Sequence, residues 1–172
     1  GGLQVSSSGF VRRVSNFIDF TRSNEEDLWV PNNFRTVTVS GVDTRATLQF
    51  KSKGDAAVEH IHVSHTYLDG RLGEVDEFSK YALNHLRHQL VGRVGLRFFD
   101  RYRLQLVSRY NERFNQDDYW VFDLRASAVF PKFDLAFDVN NALNALYIES
   151  GYVPMPGRLY RLSLSWKWNK EA

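Results

Sequence analysis

Several features that would place this chain in a common protein class are absent. The 172 residues include no cysteine, which fits an outer-membrane protein but is also frequent in cytosolic ones. The formal charge is only +2, and the arginines are spread singly along the chain, so nothing indicates nucleic-acid binding. There is no run of 18 apolar residues and therefore no transmembrane helix. No nucleophile motif, Walker loop or dinucleotide fingerprint appears, so we expect no enzyme activity and no cofactor.

The start of the chain also lacks a feature. Gly1 to Ser8 has neither the basic nor the apolar region of a secretory signal peptide. Leu3 to Val5 reads like the end of a strand whose beginning is missing. We therefore expect a piece of a longer protein, with a stub of one extra strand before the others.

What the sequence does contain is alternation of apolar and polar residues. The pattern is clearest over 133–140 and 160–168, where successive residues change polarity at period two, as in a strand with two different faces. A change of phase at Gly41 predicts a bulge there. Eight strands follow from this pattern, at about 10–20, 36–50, 58–68, 88–98, 102–110, 120–130, 133–140 and 160–168. The predicted fold is all-β, an antiparallel up-and-down meander.

The predicted connections are alternately long and short. The long ones cover 21–35, 69–86, 111–119 and 144–157. Membrane barrels have this asymmetry, with short periplasmic turns and longer outside loops, and a tilted strand of about 9–11 residues crosses the bilayer. The four long loops are therefore predicted to face the cell exterior.

Charge indicates which face could meet lipid. An arginine on the lipid side near the bilayer midplane would cost about 2–4 kcal/mol, so the polar face must meet water or a polar plug. That face carries Arg93, Arg97, Arg103, Arg109, Asp123, Arg125, Asp134, Asp138 and Arg161. The residues predicted to face lipid are Leu90, Val94, Leu96, Leu104, Leu106, Phe122, Leu124, Leu135, Phe137, Leu162, Leu164, Trp166 and Trp168.

Alternation alone leaves two other architectures open. A soluble β-barrel that binds a small apolar ligand would turn its apolar stripe inward. An autonomous eight-stranded outer-membrane barrel with a structural or adhesive role would turn it to lipid without needing further strands.

Candidate binding residues lie in the predicted outer loops, where binding residues concentrate in many proteins. They are Trp29, Asn32, Asn33, Tyr119, Tyr147 and Tyr152. His60 and His62 share a strand face and could bind a metal, but a pair lining the lumen is favoured, and no metal site is predicted. Asp134 and Asp138 are interpreted as ion-pair partners of the arginines rather than as an acid–base pair.

Three groups of segments together resemble one family. The first is Val139-Asn-Asn-Ala-Leu-Asn with Tyr147. The second is Gly151-Tyr with Met155-Pro-Gly-Arg158, followed by the closing aromatic strand. The third lies upstream and comprises Arg12–Asp19, Gly41–Asp43 and Ser79–Asn84 leading to His88. In order and spacing they are similar to the C-terminal end of TonB-dependent outer-membrane receptors, including those for cobalamin and siderophores.

The resemblance implies a location and partners as well as a fold. Residues 1–172 would be the C-terminal segment of a transmembrane barrel in the outer membrane of a Gram-negative bacterium, without the plug domain. The implied partners are membrane lipid, the remainder of the barrel with its plug, TonB acting through the plug, and a bulky imported nutrient. No nucleic acid is expected.

Overall fold

The structure is a computed structural model in which all regular structure is β. It describes residues 1–24, 26–51, 54–72, 78–79, 86–113, 116–149 and 153–168. No helix among these residues is long and apolar enough to cross a membrane.

The described residues form one antiparallel sheet of nine strands. Neighbours in the sheet follow the order β4-β1-β2-β3-β5-β6-β7-β8-β9, so all consecutive strands pair except around β4. The strands are β1 (Gly2–Arg22), β2 (Val30–Gln49), β3 (Ala56–Leu72), β4 (Phe78–Ser79), β5 (Leu86–Phe98), β6 (Tyr102–Arg113), β7 (Gln116–Val129), β8 (Phe133–Asn140) and β9 (Leu159–Trp166). The predicted all-β antiparallel meander is confirmed.

The first three long strands extend well beyond their predicted bounds. β1 has 21 residues, β2 has 20 and β3 has 17. Polar residues continue the ladders because strand pairing satisfies the backbone N–H and C=O groups whatever the side chain is. Ser7 and Thr44 are such a pair across β1 and β2, and their hydroxyl groups also share a hydrogen bond of 2.9 Å. The expected stub of a ninth strand was wrong, since Leu3 and Val5 lie within β1 and pair with Leu48 and Ala46.

Gly41 does not mark a bulge. Its pairing with Phe10 and Leu68 continues the register of both ladders without a shift. A Cβ at this position would lie 2.7 Å from Leu68 Cδ2 and 2.8 Å from Phe10 Cε1, so the glycine makes room for two apolar side chains. A register shift occurs instead in β3, between Val58 and His60.

The connections differ from the prediction mainly in length. The predicted loop over 111–119 is almost entirely strand, because β6 continues to Arg113 and β7 begins at Gln116. The predicted loop over 69–86 contains the last residues of β3 and the short β4, which pairs with β1 at Thr21 and Arg22. The predicted loop over 21–35 narrows to 23–29, and the last one widens to 141–158.

The sheet is open. Among the described residues, no ladder joins β1 to β9. One edge of the sheet is β9, and the other is β1, which the short β4 covers only at Thr21 and Arg22. Leu104 and Leu124 are half-buried, whereas the Leu162 residue is 71% exposed, so the three do not meet in a sealed centre. This arrangement argues against both closed-barrel alternatives, the soluble one and the autonomous one.

Candidate binding site at the loop end

The ladders sort the side chains onto two faces. Residues paired across an antiparallel ladder lie on the same face, so the pairs Leu96↔Leu104, Leu106↔Leu124 and Phe137↔Leu162 define one continuous apolar face. Trp168 follows the end of β9. The other twelve residues predicted to face lipid all lie on the apolar face by this register.

The opposite, polar face carries a network of ion pairs. Asp138 accepts from Arg125 at 3.1 Å and from Arg161 at 3.2 Å, although the Asp138 residue is only 5% exposed. Asp134 pairs with Lys167 at 2.7 Å. Both aspartates are therefore ion-paired, Asp138 with two arginines as predicted and Asp134 with a lysine instead of an arginine.

The two histidines predicted to share a face do so near the short-turn end. The Thr47 hydroxyl lies 2.8 Å from His62 Nδ1, and the His60 ring lies over the backbone of Gly95. They line a recess of about 400 Å³ together with Arg93. No group of three or more His, Cys, Asp and Glu side chains among the described residues is placed to hold a metal ion.

At the other end of the sheet, the described residues after β8, 141–149 and 153–158, lie against the polar face. Asn141 and Asn144 adopt left-handed φ angles of 50° and 55°, which asparagine tolerates better than most residues. The Asn141 backbone N–H donates to Asp123 Oδ1 at 2.9 Å, and the Ala142 N–H donates to the Phe122 carbonyl at 2.7 Å. These bonds fix the start of the segment to β7.

The end of the segment is bonded to its start. Asn144 Oδ1 accepts from the Arg158 backbone N–H at 2.9 Å, and the Met155 N–H donates to the Tyr147 carbonyl at 2.9 Å. A Cβ at Gly157 would lie 2.6 Å from Asn144 Oδ1, so a side chain there would displace the Asn144 side chain from this position. The asparagine-rich segment and the Met-Pro-Gly-Arg segment therefore form one unit, here called the loop clamp (residues 141–149 and 153–158).

The loop clamp brings two predicted binding residues together. The ring centroids of Tyr119, on β7, and Tyr147, in the clamp, lie 4.6 Å apart at an interplanar angle of 30°. Beside them lies a cavity of about 730 Å³, here called the tyrosine pocket. It is lined by these two residues and by Gln116, Asp117, Leu146, Ile148 and Pro154.

The electrostatics of the tyrosine pocket are unusual. The Tyr119 residue is only 8% exposed, and its hydroxyl has no hydrogen-bond partner among the described residues. The Gln116 Oε1 atom is likewise buried and unpartnered in the described structure. Burial raises the pKa of Tyr147, and the nearby Glu149 carboxylate raises that pKa further.

The other predicted binding residues lie elsewhere. Trp29 packs against the Arg22 guanidinium, 4.6 Å from the ring centroid, in the connection between β1 and β2. Asn32 and Asn33 are exposed and belong to β2, where they pair with Asp19 and Ile18. Tyr152 lies outside the described residues.

Sequence reasoning missed most of the pocket wall. Gln116 and Asp117 belong to a predicted polar connection, and Leu146, Ile148 and Pro154 belong to a segment without periodicity. The sequence did contain one signal for this segment, the asparagines around Asn141 and Asn144 and the glycine at 157. Residues of those types mark tight turns and close backbone approaches.

Comparison with known proteins gives a structural likeness only. No protein-family model matches the chain, and a search of curated proteins gave no significant match. Among solved structures, the chain is similar to the copper transporter OprC, with a TM-score of 0.67 and 20% sequence identity. The match covers 95% of this chain and 29% of the OprC chain, so this chain spans less than a third of the transporter's length. The open meander described here thus has the fold of one part of that transporter.

Proposed function

We propose that this chain is a wall segment of a TonB-dependent outer-membrane receptor that imports a bulky nutrient. The observation that carries the proposal is a single-layer sheet with an exposed apolar face and an ion-paired polar face. The shared fold with part of the copper transporter OprC and the family resemblance of the motifs support the same conclusion.

The apolar face is exposed to a degree that is unusual for a protein domain in water. The exposed fractions are 71% for Leu162, 66% for Leu164 and 61% for Trp166, on one strand. Contiguous exposed apolar patches on soluble monomers rarely exceed a few hundred Å². Acyl chains would cover this face without loss of backbone hydrogen bonds, since every strand between the two edges is paired on both sides.

The polar face suits a wet lumen or a polar plug. Asp138 is nearly buried, whereas the side chains of its partners Arg125 and Arg161 are 46% and 60% exposed. Such a network is stable where water or polar groups reach the arginines, and it would be strongly destabilised against acyl chains. The partners we infer are membrane lipid, the remaining barrel strands with the plug, and TonB, which would act through the plug.

The cargo class follows from the resemblance, which implies a siderophore or cobalamin. The name of the solved neighbour, a copper transporter, adds copper as a further candidate cargo beside these two. The location we propose is the outer membrane of a Gram-negative bacterium, with the loop clamp on the outer side. Uptake of a ferric siderophore, cobalamin or copper by cells with and without the gene would separate these cargoes.

Arginine substitution on the two faces tests the membrane assignment. Leu104→Arg and Leu162→Arg place a charge on the apolar face, where it would cost about 2–4 kcal/mol near the midplane. Ser163→Arg places the same charge on the polar face of β9, opposite Ala136. We expect the two leucine variants to be lost from the outer-membrane fraction and the serine variant to remain there. Heat-modifiable gel mobility of the protein in that fraction would show whether the barrel is folded. Equal assembly of all three would contradict the proposal.

A further inference from the structure

The tyrosine pocket has the composition of a small-molecule site. Leu146, Ile148 and Pro154 provide apolar walls, and the rings of Tyr119 and Tyr147 lie side by side. Its volume of about 730 Å³ lies within the range of ligand pockets, roughly 300–1,000 Å³. That volume is many times the roughly 30 Å³ of one water molecule.

Two residues that line this pocket, Tyr119 and Gln116, each carry a buried polar atom whose hydrogen-bonding capacity no described residue uses. The Tyr119 hydroxyl can donate one hydrogen bond, and Gln116 Oε1 can accept one, yet neither has a partner among the described residues. Tyr119 is more than nine-tenths buried, which makes an unused hydroxyl costly. A bound group that both accepts and donates would satisfy both atoms.

We propose that the tyrosine pocket binds an uncharged aromatic ring that carries a hydroxyl group. The ring would pack on Tyr147 and Leu146, while its hydroxyl would accept from Tyr119 and donate to Gln116. The Asp117 carboxylate lines the same pocket and disfavours an anionic ligand.

This inference deepens the proposed function and rests on it, because the pocket is reached from outside the cell only if the loop clamp faces the exterior. The ligand would be one aromatic part of the transported nutrient, held against the wall beside the lumen.

The test is a binding measurement in detergent micelles on the whole receptor of which the proposed function makes this chain a segment. The probe is 4-fluorophenol, followed by its fluorine NMR shift at neutral pH, and the matched control probe is fluorobenzene, which lacks the hydroxyl. Any partition of either probe into micelles is removed by comparing variants in the same detergent. We expect saturable binding of 4-fluorophenol and binding of fluorobenzene that is weaker by roughly a hundredfold, because the missing hydroxyl would make two hydrogen bonds of typical net strength, one with Tyr119 and one with Gln116.

Variants identify the atoms responsible. Tyr119→Phe and Gln116→Met each remove one hydrogen-bonding group with little change in shape, and each should weaken 4-fluorophenol binding by roughly tenfold. Tyr110→Phe is the matched control, because its hydroxyl donates to Asp118 at 2.8 Å and its side chain lies on the opposite face of the neighbouring strand. It should bind as the unchanged protein does.

Equal binding of the two probes, or unchanged binding by both pocket variants, would overturn the proposal. If Tyr119→Phe did not fold, Gln116→Met alone would decide. If 4-fluorophenol does not bind as expected but Leu104→Arg is lost from the membrane and Ser163→Arg remains, the ligand proposal is rejected and the proposed function stands. Assembly of Leu104→Arg into membranes would reject the proposed function, whatever the probe shows.

Discussion

The side chain of Asn144 accepts a hydrogen bond from the backbone N–H of Arg158 at 2.9 Å, across fourteen positions of sequence. Together with the hydrogen bond from the Met155 N–H to the Tyr147 carbonyl, this bond joins the two ends of the loop clamp. Because Gly157 lies directly against the same oxygen atom, the contact depends on the absence of a side chain there.

Gly157→Ala should therefore open the loop clamp. The new Cβ would lie 2.6 Å from Asn144 Oδ1, so either the asparagine or the backbone must shift and the bond to Arg158 is lost. We expect a cost of about 1–2 kcal/mol to local stability. It would be measured as faster hydrogen exchange at the Arg158 amide. Gly2→Ala is the control, since a Cβ there would meet nothing within 4 Å. Unchanged exchange in Gly157→Ala would contradict the clamp.

Asp138→Asn should weaken the polar face more than Asp134→Asn does. Asp138 is nearly buried and pairs with two arginines, whereas Asp134 and its single partner Lys167 are both more than a third exposed. Because the arginines stay in contact with solvent, we expect a loss of about 1–3 kcal/mol for Asp138→Asn and less than about 1 kcal/mol for Asp134→Asn. Urea unfolding of the protein in lipid vesicles measures both. Equal losses would show that burial of Asp138 adds nothing.

Alkaline pH should loosen the loop clamp through Tyr147. Burial and Glu149 raise the pKa of this phenol in the folded protein, so the folded state favours the neutral form. The resulting stability is fully present below the unfolded-state pKa of about 10, and it is lost as pH rises through the raised folded-state value. We expect proteolysis within residues 141–158 to accelerate above pH 10, and Tyr147→Phe to remove that acceleration. The same pH dependence in both proteins would assign the effect to another group.

The site prediction named Tyr119 and Tyr147 separately, and the structure brings both residues to one cavity. That they bind a ligand stays a prediction. It also named Trp29, Asn32 and Asn33, which the structure does not bring to this cavity. No signal in the sequence says which residues of different connections meet. Gln116 was missed for the same reason, since its place in the pocket depends on the fold of a segment thirty residues further along.

The sequence by itself determined which side chains share a face, from Leu90 to Trp166, because alternation at period two is a local property of an extended backbone. It also determined the strand order of a simple meander, since consecutive strands joined by short turns pair with each other. Only the tertiary structure decided how far β1 and β2 continue through polar residues, why Gly41 has no side chain, and where the loop clamp contacts β7. Those features depend on hydrogen bonds and close packing between segments distant in sequence, and no local pattern encodes such contacts.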